Sequence, residues 1–298
     1  MRPFSFRNPA CLVAALTVVS TATICAAADP FQISDPQYKL IPLVRHSSPH
    51  NAPHIRDAFG NSTNWAGFAA ESNLSDPDLG VVTAIAGTWT IPATTGGLKP
   101  QSYAYSSAWV GIDGFEDAQL TALFSTLPAA QQKQLILATQ TVEQIGTEQD
   151  WTGHASSYYA WFEFYPNYAY EIQGFPVKPG DSITGAVTYL GQNRWQSKLT
   201  NNTRNLTVTV TATFTADRYS AEWIMEAPSS STAVLPLAAF GTINFTNCAA
   251  TIGGKTVTIG AAANEGIDMV NAAGTALRAQ TSALNAAGSG FSVAWLSD

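Results

Sequence analysis

Charge is scarce in this chain. Only 12% of its 298 residues are charged, about half the roughly 25% of an ordinary soluble domain. Hydrophobic residues make up 46%, which excludes a disordered chain, since disorder needs the reverse balance. Lys and Arg number 14 against 21 Asp and Glu, so there is no basic footprint for nucleic acid. Cysteine is nearly missing: Cys11, Cys25 and Cys248 are all there is. The 22 Gly and 16 Pro are dispersed, without the period of collagen or the clustering of a linker. Long apolar runs are confined to one place, Ala10–Ile24.

Arg2 and Arg7 precede that run and Ala26-Ala27-Ala28 follows it, the order of an export signal. The run falls short of the roughly 20 apolar residues that a membrane span needs. Residues 1–28 are expected to be a signal peptide, and the protein to be secreted with no membrane attachment once it is removed. Cys11 and Cys25 would leave with it, and a lone Cys248 permits no internal disulfide. Stability must then come from the core. Acid unfolding arises where paired carboxylates are protonated and positive charge repels itself. Few basic residues and only 4 His limit that repulsion, so the composition permits life in acid.

What the chain does have is strand sequence. From about residue 62 onward, runs of Val, Ile, Thr, Tyr, Phe and Trp are punctuated by Gly, Pro, Asn and Asp. Examples are Val81–Ile91, Tyr103–Ile112, Tyr158–Tyr165, Ser182–Leu190, Leu206–Phe214, Ala221–Met225 and Gly241–Phe245. Leu206–Thr211 alternates apolar with Thr, as a strand with one wet face should. Many short strands without intervening helices indicate an all-β antiparallel sandwich or barrel. Two segments depart from this. Residues 29–60 carry five prolines with little periodicity and read as an extended lead-in or propeptide, leaving 61–298 as the β-sandwich domain that would carry any activity. Between Phe115 and Gln134, Ala, Leu and Gln predict a short helical insertion near 115–134.

The usual catalytic signatures are missing: no G-x-S-x-G, H-E-x-x-H, P-loop or G-x-G-x-x-G occurs. His46, His50 and His54 are spaced by four, but Pro49 and Pro53 break the helix that would gather them on a metal. No metal site and no cofactor are expected. His154 sits in a polar turn and reads as a surface residue. The chemistry is left to carboxylates, amides and aromatics in three stretches: Trp109–Gly114, Glu143–Asp150 with Tyr158–Pro166, and Ala221–Glu226. A carboxylate or amide set in aromatic strand sequence either lines a cleft or belongs to a hydrogen-bond network, because burying it unpaired costs several kcal/mol. Singly, each of these is as well explained by an exposed strand face.

Together, and in order, they resemble a known family. Asn64-Trp65-Ala66-Gly67, Trp89-Thr90-Ile91-Pro92, Trp109–Gly114, Gln144–Glu148, Tyr159–Pro166, Tyr168-Ala169-Tyr170, Pro179-Gly180-Asp181, Ala221-Glu222-Trp223-Ile224 and Phe240-Gly241-Thr242 are similar to the motifs of the glutamic peptidases, or eqolisins. The resemblance implies a sandwich of two curved antiparallel sheets and Gln144 and Glu222 as the catalytic pair. It implies hydrolysis of peptide bonds in protein or peptide substrates by an activated water, with no covalent intermediate. More weakly, it places Trp109, Asp113, Glu163 and Tyr165 along the cleft as substrate-binding or bracing residues. It implies an acid optimum, which would require hydrogen bonds to hold the Glu222 pKa down. A monomer is expected.

Along the strand Glu143 points away from Gln144, where the family carries an apolar residue, and the 115–134 insertion lengthens the path from the Asp-Gly turn to Gln144. A different class remains open on the residues. A secreted Trp- and Tyr-rich sandwich also suits a carbohydrate-binding or glycoside-hydrolysing lectin-like domain, with Glu163 and Glu222 as its carboxyl pair about 5–5.5 Å apart.

Overall fold

The computed structural model describes residues 31–43, 56–57, 60–75, 77–115, 126, 128, 141–230 and 233–298. His46, His50, His54 and nearly all of the 115–134 insertion lie outside the described residues, as does the signal sequence. Among the described residues the regular elements are strands and one short 3₁₀ turn, Ile259–Ala261. In chain order the strands are β1 (Phe31–Ile33), β2 (Lys39–Pro42), β3 (Arg56–Asp57), β4 (Asn61–Ser62), β5 (Trp65–Glu71), β6 (Val82–Thr90) and β7 (Tyr103–Ala104). Then come β8 (Ser107–Ile112), β9 (Val142–Thr152), β10 (Ser156–Tyr165), β11 (Tyr170–Gln173), β12 (Ser182–Gly191), β13 (Arg194–Asn201) and β14 (Leu206–Thr213). The last are β15 (Ser220–Glu226), β16 (Thr242–Ile252), β17 (Lys255–Thr258), β18 (Ala263–Val270), β19 (Leu277–Thr281) and β20 (Phe291–Trp295). The expectation of an all-β antiparallel sandwich holds.

The strands form two sheets. The outer sheet runs β1-β14-β13-β12-β6-β16-β20-β19-β18-β4-β3, with β17 folded back on β16. The other, the site sheet, runs β2-β11-β10-β9-β8-β15-β5-β18. Pairing is antiparallel except for β18 with β4. Strand β18 belongs to both sheets: Ala263–Ile267 pair with β5, and Asp268–Val270 with β4 and β19.

Alternation decides what each face buries. Ala66, Phe68, Val110, Ile145, Phe162, Phe164 and Trp223 of the site sheet pack in one cluster with Trp89, Ile183, Val187, Trp195, Val208 and Phe245 of the outer sheet. Two indoles bond across the layers, Trp89 Nε1 to Thr147 Oγ1 at 2.9 Å and Trp223 Nε1 to the Ala86 carbonyl at 2.8 Å. Facing away, the outer sheet carries cross-strand threonine pairs, Thr88–Thr184 at 2.8 Å, Thr200–Thr207 at 3.1 Å and Thr251–Thr256 at 2.9 Å. Such pairs each contribute a few tenths of a kcal/mol, and none changes charge with pH.

The lead-in is extended and contains strands: β1 pairs with β14 at one sheet edge and β2 with β11 at the other. Pro36 and Pro42 hid them because proline excludes a central strand but not an edge.

Candidate active site

The site sheet's second face carries the candidate residues. Side chains two apart share a face, and the second buried cluster contains Trp65, Ala69, Trp109, Val142, Trp161, Tyr165, Ile224 and Ile267. Gln144 is opposite Gly111 in the pairing of β8 with β9, and Gly111 is opposite Glu222 in the pairing of β8 with β15. The register extends outward to Glu163 beside Gln144, and to Ala69 and Glu265 beyond Glu222. Gln144 and Glu222, 78 positions apart in the chain, therefore stand in one row with β8 between them. Two strand spacings put their Cα atoms roughly 10 Å apart.

Between the two there is no side chain, because the intervening residue is glycine. A Cβ at Gly111 would lie 2.9 Å from the Trp109 ring and 3.2 Å from the Gln144 Cβ. Gly111→Ala is expected to leave the backbone intact but push Gln144 aside, lowering kcat/KM by about 10²-fold. Steady-state kinetics beside a melting curve would separate this from unfolding.

The Gln144 amide is anchored: Nε2 donates to Glu163 Oε2 at 2.7 Å. Among the described residues, Gln144 Oε1 and both Glu222 carboxyl oxygens have no hydrogen-bond partner at good geometry, although the Ser220 hydroxyl and the Phe115 amide lie near enough to Glu222 to favour its charged form. Exposure is 1% for Gln144 and 0% for Glu222. The expectation of a depressed Glu222 pKa is overturned. Burial is the largest influence and pushes it well above the ordinary value, and the nearby carboxyls of Asp113 and Glu71 push the same way.

Asp113 sits at the end of β8, among the residues expected to line or brace the cleft. It takes φ +68°, and its carboxyl accepts from the amides of Arg218 at 2.7 Å and Tyr219 at 2.8 Å and from the Thr141 hydroxyl at 3.2 Å. It ties the end of β8 to the approaches of β9 and β15, the strands that carry the pair. Burial outweighs those bonds and raises its pKa to about 6. Asp113→Ala orphans the buried Tyr219 amide and the half-buried Arg218 amide and places a Cβ residue without a side-chain acceptor at positive φ. A loss of about 3 kcal/mol is expected in urea unfolding.

Trp109 forms the floor beside the pair. Its indole packs edge-on to Trp65 at 5.0 Å and donates to Glu226 Oε2 at 2.8 Å. Tyr165 and Trp161 share the face of Glu163, while Phe162 and Phe164 point into the core. Glu143, on the other side of β9, is fully buried, and burial together with the neighbouring Asp113 carboxyl raises its pKa well above normal.

Reading the motifs one residue at a time missed a second acidic group on the same face. Glu148 and Glu226 flank Ser107 in the register, just as Gln144 and Glu222 flank Gly111. Glu226 accepts from Asn64 Nδ2 at 3.3 Å and from Trp109, while Glu148 lies beside the Ser107 hydroxyl and the Asp150 carboxyl. Burial raises the Glu226 pKa to about 8, that of Asp150 to about 7, and that of Glu148 well above its usual value. Each lies an even number of residues from Gln144 or Glu222, a spacing that places it on their face.

A double antiparallel sheet that sets one amide and one carboxyl in a single row is the arrangement implied for a glutamic peptidase. The Peptidase A4 family profile matches residues 63–295, and the chain belongs to that family. It is 31% identical over 216 residues to aspergillopepsin-2 of Aspergillus niger, covering 66% of this chain and 67% of that one. It is 28% identical over 224 residues to scytalidopepsin B of Scytalidium lignicola, 72% of each. Among solved structures, scytalido-glutamic peptidase with a transition-state analogue inhibitor superposes with a TM-score of 0.59 at 22% identity, covering 78% of this chain and 98% of the other. Aspergilloglutamic peptidase from Aspergillus niger gives 0.51 at 28% identity, covering 65% and 99%. The protein is thus a glutamic endopeptidase. The carbohydrate alternative finds no support in these relatives, and its carboxyl pair is interrupted: Gln144 stands between Glu163 and Glu222 and is bonded to the former.

Proposed function

We propose that Gln144 and Glu222 are the catalytic pair of an acid endopeptidase that acts on unfolded proteins or peptides outside the cell. The observation that carries this reading is their common row across side-chain-free Gly111. Ionised Glu222 takes a proton from a water held between the two groups, and that water attacks the scissile carbonyl. Gln144 Nε2 gives one hydrogen to Glu163 and has the other for the developing oxyanion, where a fixed donor is worth about 2.7–4 kcal/mol. Glu222, now protonated, passes its proton to the leaving nitrogen. Glutamine suits this role in acid because it does not titrate. Glu163 acts as the positioning residue, and Trp109 and Tyr165 shape the cleft.

Gln144 and Glu222 are buried in this structure, and hydrolysis requires that water and substrate reach them. Readmitted water would remove the desolvation that keeps Glu222 protonated and return its carboxyl toward the ordinary range near 4, which sets the low-pH limb. Ionisation of the buried carboxyls of Glu148, Asp150 and Glu226 destabilises the fold toward neutral pH and sets the other limb. Residues 1–28 fit an export signal, and no helix among the described residues is long and apolar enough to cross a membrane. We infer a secreted monomer without a nucleic-acid partner. Digestion of a denatured protein by the purified chain between about pH 3 and pH 7 tests the assignment. Acid-limited cleavage is expected, and a rate that stays level through neutral pH would count against the pair.

A further inference from the structure

The two sheets are joined differently at their two sides. At one side β18 passes from β5 of the site sheet to β4 and β19 of the outer sheet, so a single strand closes the sandwich. At the other side the closure comes from the lead-in. Strand β1 lies antiparallel on β14, with Phe31 opposite Ala212 and Ile33 opposite Val210. Five residues later β2 lies antiparallel on β11, with Lys39 opposite Gln173 and Pro42 opposite Tyr170. The connecting turn is built locally: the amide and side chain of Gln37 both donate to the Asp35 carboxyl, at 3.0 and 2.6 Å, and the Ser34 amide donates to the Thr209 carbonyl at 2.9 Å.

This segment also fills the core. Phe31 is 5% exposed. Its ring lies 5.2 Å from Phe162, 5.7 Å from Phe164 and 5.2 Å from Tyr170. Tyr38 is buried against Phe175 at 5.5 Å. Phe162 and Phe164 flank Glu163 on β10, whose own side chain holds the Gln144 amide from the opposite face. The family match begins only at residue 63, so both lead-in strands lie outside the part that the family profile matches. Without them β14 and β11 would each present an unpaired backbone edge, with an aromatic notch between.

We propose that residues 31–42 are a two-strand clasp that stays docked on the edges of β14 and β11 as part of the working enzyme, even when the chain is cut behind it. Strand addition supplies main-chain bonds along each edge, and Phe31 in its notch supplies specificity, the division of labour usual when a peptide augments a sheet. Exposed edges invite pairing with other chains, so the clasp also guards the sandwich against aggregation. The claim concerns retention and folding, and it stands or falls independently of the catalytic pair.

The test uses the full chain with a specific cleavage sequence engineered between residues 46 and 51, nicked after folding and passed over a sizing column. The clasp fragment is expected to co-elute with the body and to leave only in denaturant. Phe31→Ala should weaken its retention on the order of 10²-fold. Phe31→Leu, which keeps an apolar anchor, should hold it better than Ala and covers the event that the Ala chain does not fold. Release of the fragment from the nicked wild type at micromolar concentration overturns the proposal. Equal retention by wild type, Leu and Ala overturns the role of Phe31.

Discussion

Glu222→Gln is expected to abolish acid proteolysis while leaving the fold intact. The substitution keeps the size and neutral polarity of the protonated carboxyl and removes only its ability to take and return a proton. General acid–base groups contribute about 10²–10⁴-fold, and one group serves here as base and then as acid, so a fall in kcat near 10⁴ is expected. Gln144→Ala removes the oxyanion donor and should cost about 10²–10³. Because both groups act on one water, the double substitution should cost little more than Glu222→Gln alone. Glu163→Gln should have a smaller effect, near tenfold, expressed in kcat more than KM, since it loosens the Gln144 amide without touching substrate. Single-turnover hydrolysis of a quenched peptide would read all four. A Gln144→Ala enzyme within a few-fold of wild type would exclude the amide from the reaction.

Raising the pH should unfold this protein without help from heat. Glu222, Glu226, Glu148, Glu143, Asp150 and Asp113 are all buried, with pKa values pushed upward first by desolvation. The folded state therefore keeps protons that the unfolded chain releases near pH 4. Where the native state binds more protons, stability falls as pH rises. The stabilisation is complete below about pH 4 and is lost progressively toward the folded values, which reach about 8 for Glu226. At about 1.4 kcal/mol per pH unit per group, Glu226 alone accounts for about 5 kcal/mol. Several such groups together match the 5–15 kcal/mol that holds a domain folded. Circular dichroism against pH should show cooperative unfolding between about pH 6 and 8. Glu148→Gln should move that transition to higher pH, because it mimics the protonated acid and removes one of two adjacent buried carboxyls that must otherwise ionise together. A transition unmoved by the substitution, or none at all, would contradict the burial argument.

Much of the fold could be read from the chain because strand alternation is local. Leu206–Thr211 announces its wet and dry faces unaided, and β14 follows it. The lead-in strands escaped notice because an edge strand of three or four residues with proline nearby has no period to detect. Gln144 and Glu222 were legible as motif positions, and the burial that inverts the expected Glu222 pKa was not.

The amino-acid order by itself announced the strands of the described residues, which side chains share a face, and which amide and carboxyl match the family's motifs, since each of these depends on neighbours within a few residues. Only the tertiary structure decided that β8 lies between β9 and β15, that Gly111 aligns the pair, and that residues 31–42 close the far side of the sandwich. Strand pairing joins segments tens of residues apart, and desolvation is imposed by whatever packs from elsewhere, so neither is written in any local stretch of the chain.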